Sequence, residues 1–321
     1  MRKHFLGCVA FAILLIEPVL AEENYITSTH TYKSVDGHEL LVDVFRSESD
    51  SAKMRPAIVY LHAGALIQGF RGWIRPWQLQ IYIDAGFVLA SIDYRLAPET
   101  KLPEILADVE DAYYWVRGEG AKQFNIDPDR IAVVGHSAGG YLALSLGYRV
   151  EPRPRAVVSF YGYGDVTGDW YSQPSDVFNE EPKISEDQAR SSVGNKVISG
   201  TPFDMDHRRG DFYIWSRQQG VWPIEVSGRN PKVDQEWFRS FEPIRNVNSD
   251  YPPTFLLHGG KDTDVPFDQS VSMAEVLENQ SIPYELKTDP EWGHMFDGPS
   301  LTPELQVVFN DVISFLIRHT R

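Results

Sequence analysis

The sequence predicts an α/β chain, with a mainly parallel central sheet, helices on both faces and a cap inserted late in the chain. Three observations predict it. Short apolar runs suited to buried strands alternate with segments whose apolar residues recur at helical spacing, the order that builds a parallel sheet. A β-rich pair of segments flanks Asp36-Gly37, a hairpin signal near the start. In the middle, the apolar run 131–134 passes through Gly135-His136-Ser137-Ala138-Gly139 into a helix-forming stretch, a sharp strand-to-helix junction.

Residues 1–21 open with Met1-Arg2-Lys3-His4, continue with an apolar run over 5–16 and end Pro18-Val19-Leu20-Ala21. A basic start, an apolar middle and small residues at the end read as a secretory signal peptide cut after Ala21. The expected mature domain is 22–321, secreted or periplasmic. The apolar run is shorter than the ~20 residues that span a bilayer, so no stable membrane anchor is expected. Cys8, the single cysteine, leaves with the signal, and the mature chain forms no disulfide. With 30 basic against 45 acidic residues the net charge is −15, which argues against nucleic acid as a partner.

Segments 24–33 and 39–46 alternate as hairpin strands. Strands follow at 56–62 and 87–93, with a helix over 75–84 between them. Helical spacing covers 104–124, and the 131–134 strand leads to the helix after Ser137. Another strand is expected at 156–161. Regularity then lapses, and a structureless stretch of that length is implausible in a compact domain. Residues 166–249 are therefore read as an inserted cap with helices of its own. Regularity returns with a strand at 253–258, a helix over 265–280, a strand at 283–288 and a last helix over 303–319.

In such sheets ligands bind beyond the carboxyl ends of the strands, and Ser137 stands at one. A Cβ on either flank of so tight a turn would strike neighbouring backbone, which explains Gly135 and Gly139. A serine hydroxyl attacks at neutral pH only if an oriented base takes its proton. Of nine histidines, His294 lies in the carboxyl-end loop between the last strand and the last helix, on the rim that carries Ser137. His62 and His258 close strands and are expected to shape turns. Asp262 ends a strand and is taken as the orienting acid. Asp264 competes, but standing before Val265-Pro266 it is expected to cap the following helix. Backbone N–H groups of Ala138, Gly64 and Ala65 are candidate donors to an oxyanion.

These stretches together, His62-Ala63-Gly64-Ala65, Tyr94-Arg95-Leu96-Ala97-Pro98-Glu99, Gly135-His136-Ser137-Ala138-Gly139-Gly140, His258-Gly259-Gly260-Lys261-Asp262 and Gly293-His294-Met295-Phe296, resemble the hormone-sensitive-lipase-like esterases of the α/β-hydrolase superfamily. The histidine before Ser137 and the Asp262-to-Pro266 pattern are closer to its acetyl- and feruloyl-esterase-like members. The resemblance covers about 56–165 and 250–321. It implies an α/β-hydrolase fold and carboxylic-ester hydrolysis through an acyl-enzyme, in the chain order Ser, Asp, His, without cofactor or metal. One departure is that Ala63 and Ala65 replace the first and third glycines of the family's His-Gly-Gly-Gly loop.

The expected substrate is a small-molecule or polysaccharide-linked ester with a short acyl group, acetylated or feruloylated polysaccharide among the possibilities. The aromatic-rich cap is expected to close over Ser137, with Trp215 and Trp222 facing the substrate. Two other readings are weighed: a serine peptidase of prolyl-oligopeptidase-like type, from the Asp262-to-Pro266 pattern, and a binding protein on a dead hydrolase.

Overall fold

In a computed structural model of the protein the described residues are 25–48, 53–200 and 203–321, with 203–208 described by their backbone alone. The expected signal segment, with Cys8, and the side chain of His207 lie outside them. Among the described residues eight strands form one sheet: β1 Tyr25–Val35, β2 His38–Ser47, β3 Arg55–Leu61, β4 Val88–Ile92, β5 Ile126–His136, β6 Val157–Phe160, β7 Thr254–Gly259 and β8 Tyr284–Asp289. Their order is β1-β2-β4-β3-β5-β6-β7-β8. Asp36 (φ 50°) and Gly37 (φ 82°) both take positive φ, as a two-residue hairpin turn requires. This turn makes β1 and β2 antiparallel. β2 also runs antiparallel to β4, and every later pairing is parallel.

Period-two alternation divides the core between the two faces of the sheet. From β3, Ala57, Val59 and Leu61 pack on one face with the helices Leu102–Trp115, Ala138–Arg149 and Asp268–Asn279. Ile58 and Tyr60 pack on the other, with Pro76–Asp84 and Pro303–His319. Because both faces are covered, β4 and β6 are buried along their whole length, and β3 over Ala57–Leu61, rather than alternating buried with exposed residues.

Two helix boundaries differ from the sequence expectation. The helical span 104–124 is α-helix over Leu102–Trp115, then a wider π turn at Val116–Gly120, then a further turn at Ala121–Phe124. The ring of Trp115 lies so close to Gly120 that a Cβ there would meet it at 3.1 Å. The helix expected from Val265 begins at Asp268, so Asp264 does not cap it.

Between β6 and β7 the chain forms short helices from Asp169–Ser172 to Pro243–Asn246, and one long one, Phe203–Gln219. Arg209 on the long helix ties this cap region to the sheet. Its guanidinium donates to the carbonyls of Ile67 (2.6 Å) and Ala97 (2.5 Å) and pairs with both oxygens of Glu99. Both side chains of that pair are buried, where an unpaired charge would be costly. No helix of the described residues is long and apolar enough to cross a membrane.

Candidate active site

β5 ends at His136, and Ser137 takes φ 52° and ψ −117° before the next helix begins at Ala138. For a residue with a Cβ this is strained backbone, held here by its surroundings. A Cβ on Gly135 would lie 2.0 Å from the Gly139 carbonyl oxygen, and one on Gly139 would lie 2.0 Å from that of Leu61. Close backbone packing therefore requires both glycines. The Ser137 N–H donates to the Phe160 carbonyl at 2.9 Å, which fixes the turn to β6.

His294 and Asp262 meet Ser137 from the loops after β8 and β7. His294 Nδ1 lies 2.7 Å from Asp262 Oδ2, and His294 Nε2 lies 3.1 Å from Ser137 Oγ. A carboxylate only accepts, so Nδ1 carries the proton and Nε2 is left to accept from the serine hydroxyl. The Asp262 carboxylate is wholly buried, and both its oxygens are bonded. Its Oδ1 accepts the N–H groups of Asp264 and Val265, each at 2.9 Å, and its Oδ2 also stands 3.2 Å from His258 Nε2.

His258 does more than shape a turn. Its Nε2 is 3.0 Å from the Val265 carbonyl, which can only accept, so Nε2 carries the proton and points it toward Asp262 as well. Its Nδ1 then accepts from Ser270 Oγ at 2.7 Å. The four-residue spacing from His258 to Asp262 is the sequence signal for this support.

Electrostatics sharpen the arrangement. Burial alone would raise the Asp262 carboxyl, but hydrogen bonds from His258 and His294 hold it well below the usual carboxylate range. Burial pulls the His294 imidazole down. Its bond to Asp262 and the charges of Asp264, Asp262 and Asp297 outweigh that and set it above its ordinary value. His62 differs, since burial lowers it to about 4 and leaves it neutral, stacked on Tyr94 at 4.1 Å.

Asp264 is engaged elsewhere than at a helix end. Its Oδ1 accepts from Tyr213 Oη (2.5 Å) and Arg217 Nη1 (2.6 Å), both on the long cap helix. Its other oxygen stays 3.8 Å from His294 Nε2.

The loop after β3 runs through Gly64 (φ 118°), Ala65 (φ 56°) and Leu66 (φ 63°). A Cβ on Gly64 would strike the Gln68 carbonyl oxygen at 2.1 Å. Ala65 takes the left-handed region that alanine tolerates at a cost. Among the described residues neither the Gly64 nor the Ala65 N–H donates a hydrogen bond. The Ala65 carbonyl accepts from Trp222 Nε1 at 3.0 Å.

Trp222 is thus placed differently from expectation. It is buried and stacked on Tyr171 at 3.9 Å, with its one polar atom holding the Ala65 peptide. Trp215 is buried too, beneath the Arg190 guanidinium at 4.8 Å and beside Phe212. Neither lines the cavity next to the site. The cap aromatics pack together and continue the core of one face of the sheet, which removes their rings from water.

That cavity, about 400 Å³, is walled by Ala63, His136 and Met295, the immediate chain neighbours of Gly64, Ser137 and His294, with Trp73 and Tyr161. Its polar end is Asp297, wholly buried. Asp297 accepts from Gln78 (2.5 Å), Tyr161 (2.7 Å) and Arg75 (3.2 Å), and lies 3.3 Å from His136. Arg75 stands 222 positions from Asp297 in the chain, and no sequence pattern joined them.

The BD-FAE family model matches residues 42–277, most of the chain, from within β2 to the helix after β7. The protein belongs to the BD-FAE family. A non-reducing polyketide synthase of Stereocaulon alpinum is 34% identical over 295 residues, covering 81% of this chain and 12% of that protein. The chain spans only 12–14% of the length of the curated relatives it matches. Among solved structures, a bacterial heroin esterase superposes with a TM-score of 0.68 at 20% identity, over 95% of this chain and 87% of that one. An acetyl ester-xyloside bifunctional hydrolase from Caldicellulosiruptor lactoaceticus gives 0.64 at 22%, over 91% and 96%. These likenesses establish the α/β-hydrolase fold for this BD-FAE chain.

Proposed function

We propose that the protein is a secreted serine carboxylesterase that hydrolyses short-chain acyl esters through an acyl-enzyme. The observation that carries the reading is the unbroken line Ser137 Oγ, His294 Nε2, His294 Nδ1, Asp262 Oδ2 at 3.1 and 2.7 Å. His294 takes the proton as Ser137 Oγ adds to the ester carbonyl. The negative oxygen is received by the N–H groups of Ala138, Gly64 and Ala65. His294 returns the proton to the leaving alcohol, and a water repeats the sequence on the acyl-serine. Asp262 stabilises the imidazolium without taking its proton. Of the two similar solved proteins, one is described as an esterase and the other as acting on acetyl esters, in keeping with this chemistry.

The cavity bounded by Ala63, His136 and Met295 is assigned to the acyl group. Its polar end favours short groups, because a long chain would press methylenes against Asp297 and its partners. The test is a panel of acetyl, butyryl and octanoyl nitrophenyl esters beside aminoacyl amides, run across pH. Acetyl and butyryl esters are expected to be preferred, with kcat/KM rising through an acid limb above the ordinary imidazole value of about 6.5. The sign follows from the base, which works only when neutral and whose proton affinity is raised. Preference for amides, or for octanoyl esters, would overturn the reading, as would a limb below that value.

Trp222 is assigned a supporting part: its bond to the Ala65 carbonyl fixes the Ala65–Leu66 peptide, next to the one whose Ala65 N–H is assigned to the oxyanion. Trp222→Phe keeps the ring but leaves the Ala65 carbonyl without its donor, a loss of about 1–3 kcal/mol. It is expected to lower kcat roughly tenfold with little change in KM. A normal kcat would show that the indole N–H does not position the loop.

A further inference from the structure

Arg217 is a buried cation on the long cap helix, set among aromatic rings. Its guanidinium carbon lies 4.5 Å from the centroid of Phe178, 4.8 Å from Tyr171 and 5.5 Å from Trp170. An unpaired charge in such surroundings would be costly, and the partner that offsets it is Asp264. Nη1 donates to Asp264 Oδ1 (2.6 Å) and to Tyr213 Oη (2.6 Å), and Nη2 donates to the Asp264 carbonyl (3.1 Å). Tyr213 Oη also donates to Oδ1 at 2.5 Å, so these bonds together draw Asp264 toward the cap.

On its other side Asp264 faces the reacting nitrogen. Oδ2 lies 3.8 Å from His294 Nε2, the atom that is 3.1 Å from Ser137 Oγ. A carboxylate released from the cap needs to move by less than about an ångström to accept a hydrogen bond from a protonated Nε2. In that place it would hold His294 as the imidazolium and displace the serine hydroxyl. The remaining groups around His294 are Asp262, Asp297, Ser137 and the ring of Tyr161 at 4.6 Å, with His258 behind Asp262. Among the described groups facing His294, Asp264 is the one tied to a cation of the cap.

We infer that Arg217 is a positioning residue for the base: by holding Asp264 against the cap and offsetting its charge, it keeps His294 Nε2 free for Ser137. Seating of the cap thereby sets the proton affinity of His294. The inference rests on the proposed serine-esterase reading, and goes beyond it in giving the cap a part in base chemistry.

The test reads the acid limb of kcat/KM for an acetyl nitrophenyl ester in four enzymes: wild type, Arg217→Met, Asp264→Asn and the double variant. Methionine replaces the cation with an apolar chain of similar length suited to the aromatic surroundings. In Arg217→Met the negative charge of Asp264 is no longer offset, so the limb moves to higher pH. The expected reading is roughly a threefold or greater loss at the acid end relative to the plateau, an order-of-magnitude figure for one charge near a partly exposed site. Asp264→Asn removes that charge and moves the limb the other way. The double variant follows Asp264→Asn, because Arg217 acts through Asp264. Should Arg217→Met fail to fold, Tyr213→Phe takes its place, with a smaller upward displacement that Asp264→Asn cancels.

A limb unmoved in Asp264→Asn, displacements of the same sign in the two single variants, or a lowered plateau with an unmoved limb would overturn the inference. Ser137→Ala separates this failure from failure of the esterase reading. If that variant keeps turnover within about tenfold of the parent, the reading falls. If it is inactive while the limb is unmoved, only the part assigned to Arg217 falls.

Discussion

Ser137→Ala is expected to lower kcat by roughly 10⁵–10⁶-fold, the scale seen when a serine nucleophile is removed from a working triad. The alanine keeps the Cβ, so the strained φ of 52° is as accessible to it as to serine. The substitution removes the 3.1 Å hydrogen bond to His294 Nε2, worth about 1 kcal/mol in stability. The variant should therefore fold with a nearly unchanged melting temperature. Single-turnover assays with a nitrophenyl ester should show no burst of acyl-enzyme. Turnover within about tenfold of the parent, in a folded variant, would remove Ser137 from the mechanism.

Asp262→Asn is expected to cost about 10⁴-fold in kcat, and Asp264→Asn less than about tenfold on the plateau. At Asp262 the amide could present its N–H₂ to His294 Nδ1 and stabilise the tautomer that protonates Nε2, the wrong one for accepting from Ser137. His258 Nε2, 3.2 Å from the same oxygen, would meet a donor instead of an acceptor. The variant would lose stability as well, since a buried polar network would be only partly satisfied. At Asp264 the amide oxygen still accepts from Tyr213 or Arg217, and nothing reaches His294 Nδ1 from there. Comparable kcat values for the two variants, or the reverse ranking, would show that the acid had been assigned to the wrong carboxylate.

Much of the fold was legible because its signals are local. The Asp36-Gly37 turn, the apolar runs of the central strands and the glycines about Ser137 each answer a demand made within a few residues of the chain. The structure brings Ser137, His294 and Asp262 together because all three stand at carboxyl ends of strands in a sheet whose parallel order the alternation of elements predicted. Asp264 shows the limit of local signals: Asp before Val265-Pro266 has the local form of a cap, yet the helix starts at Asp268.

Periodicity and turn chemistry are written in neighbouring residues, so the chain alone dictates the sheet, the turn that carries Ser137 and the pair of loops that carry His294 and Asp262. What holds these groups in place comes instead from tertiary packing. Trp222 reaches Ala65 across 157 positions, Arg75 reaches Asp297 across 222, and Arg217 reaches Asp264 across 47. Buried polar atoms must find partners wherever packing puts them. Which partner each finds depends on how the cap lies on the sheet, and no local pattern in the chain encodes that.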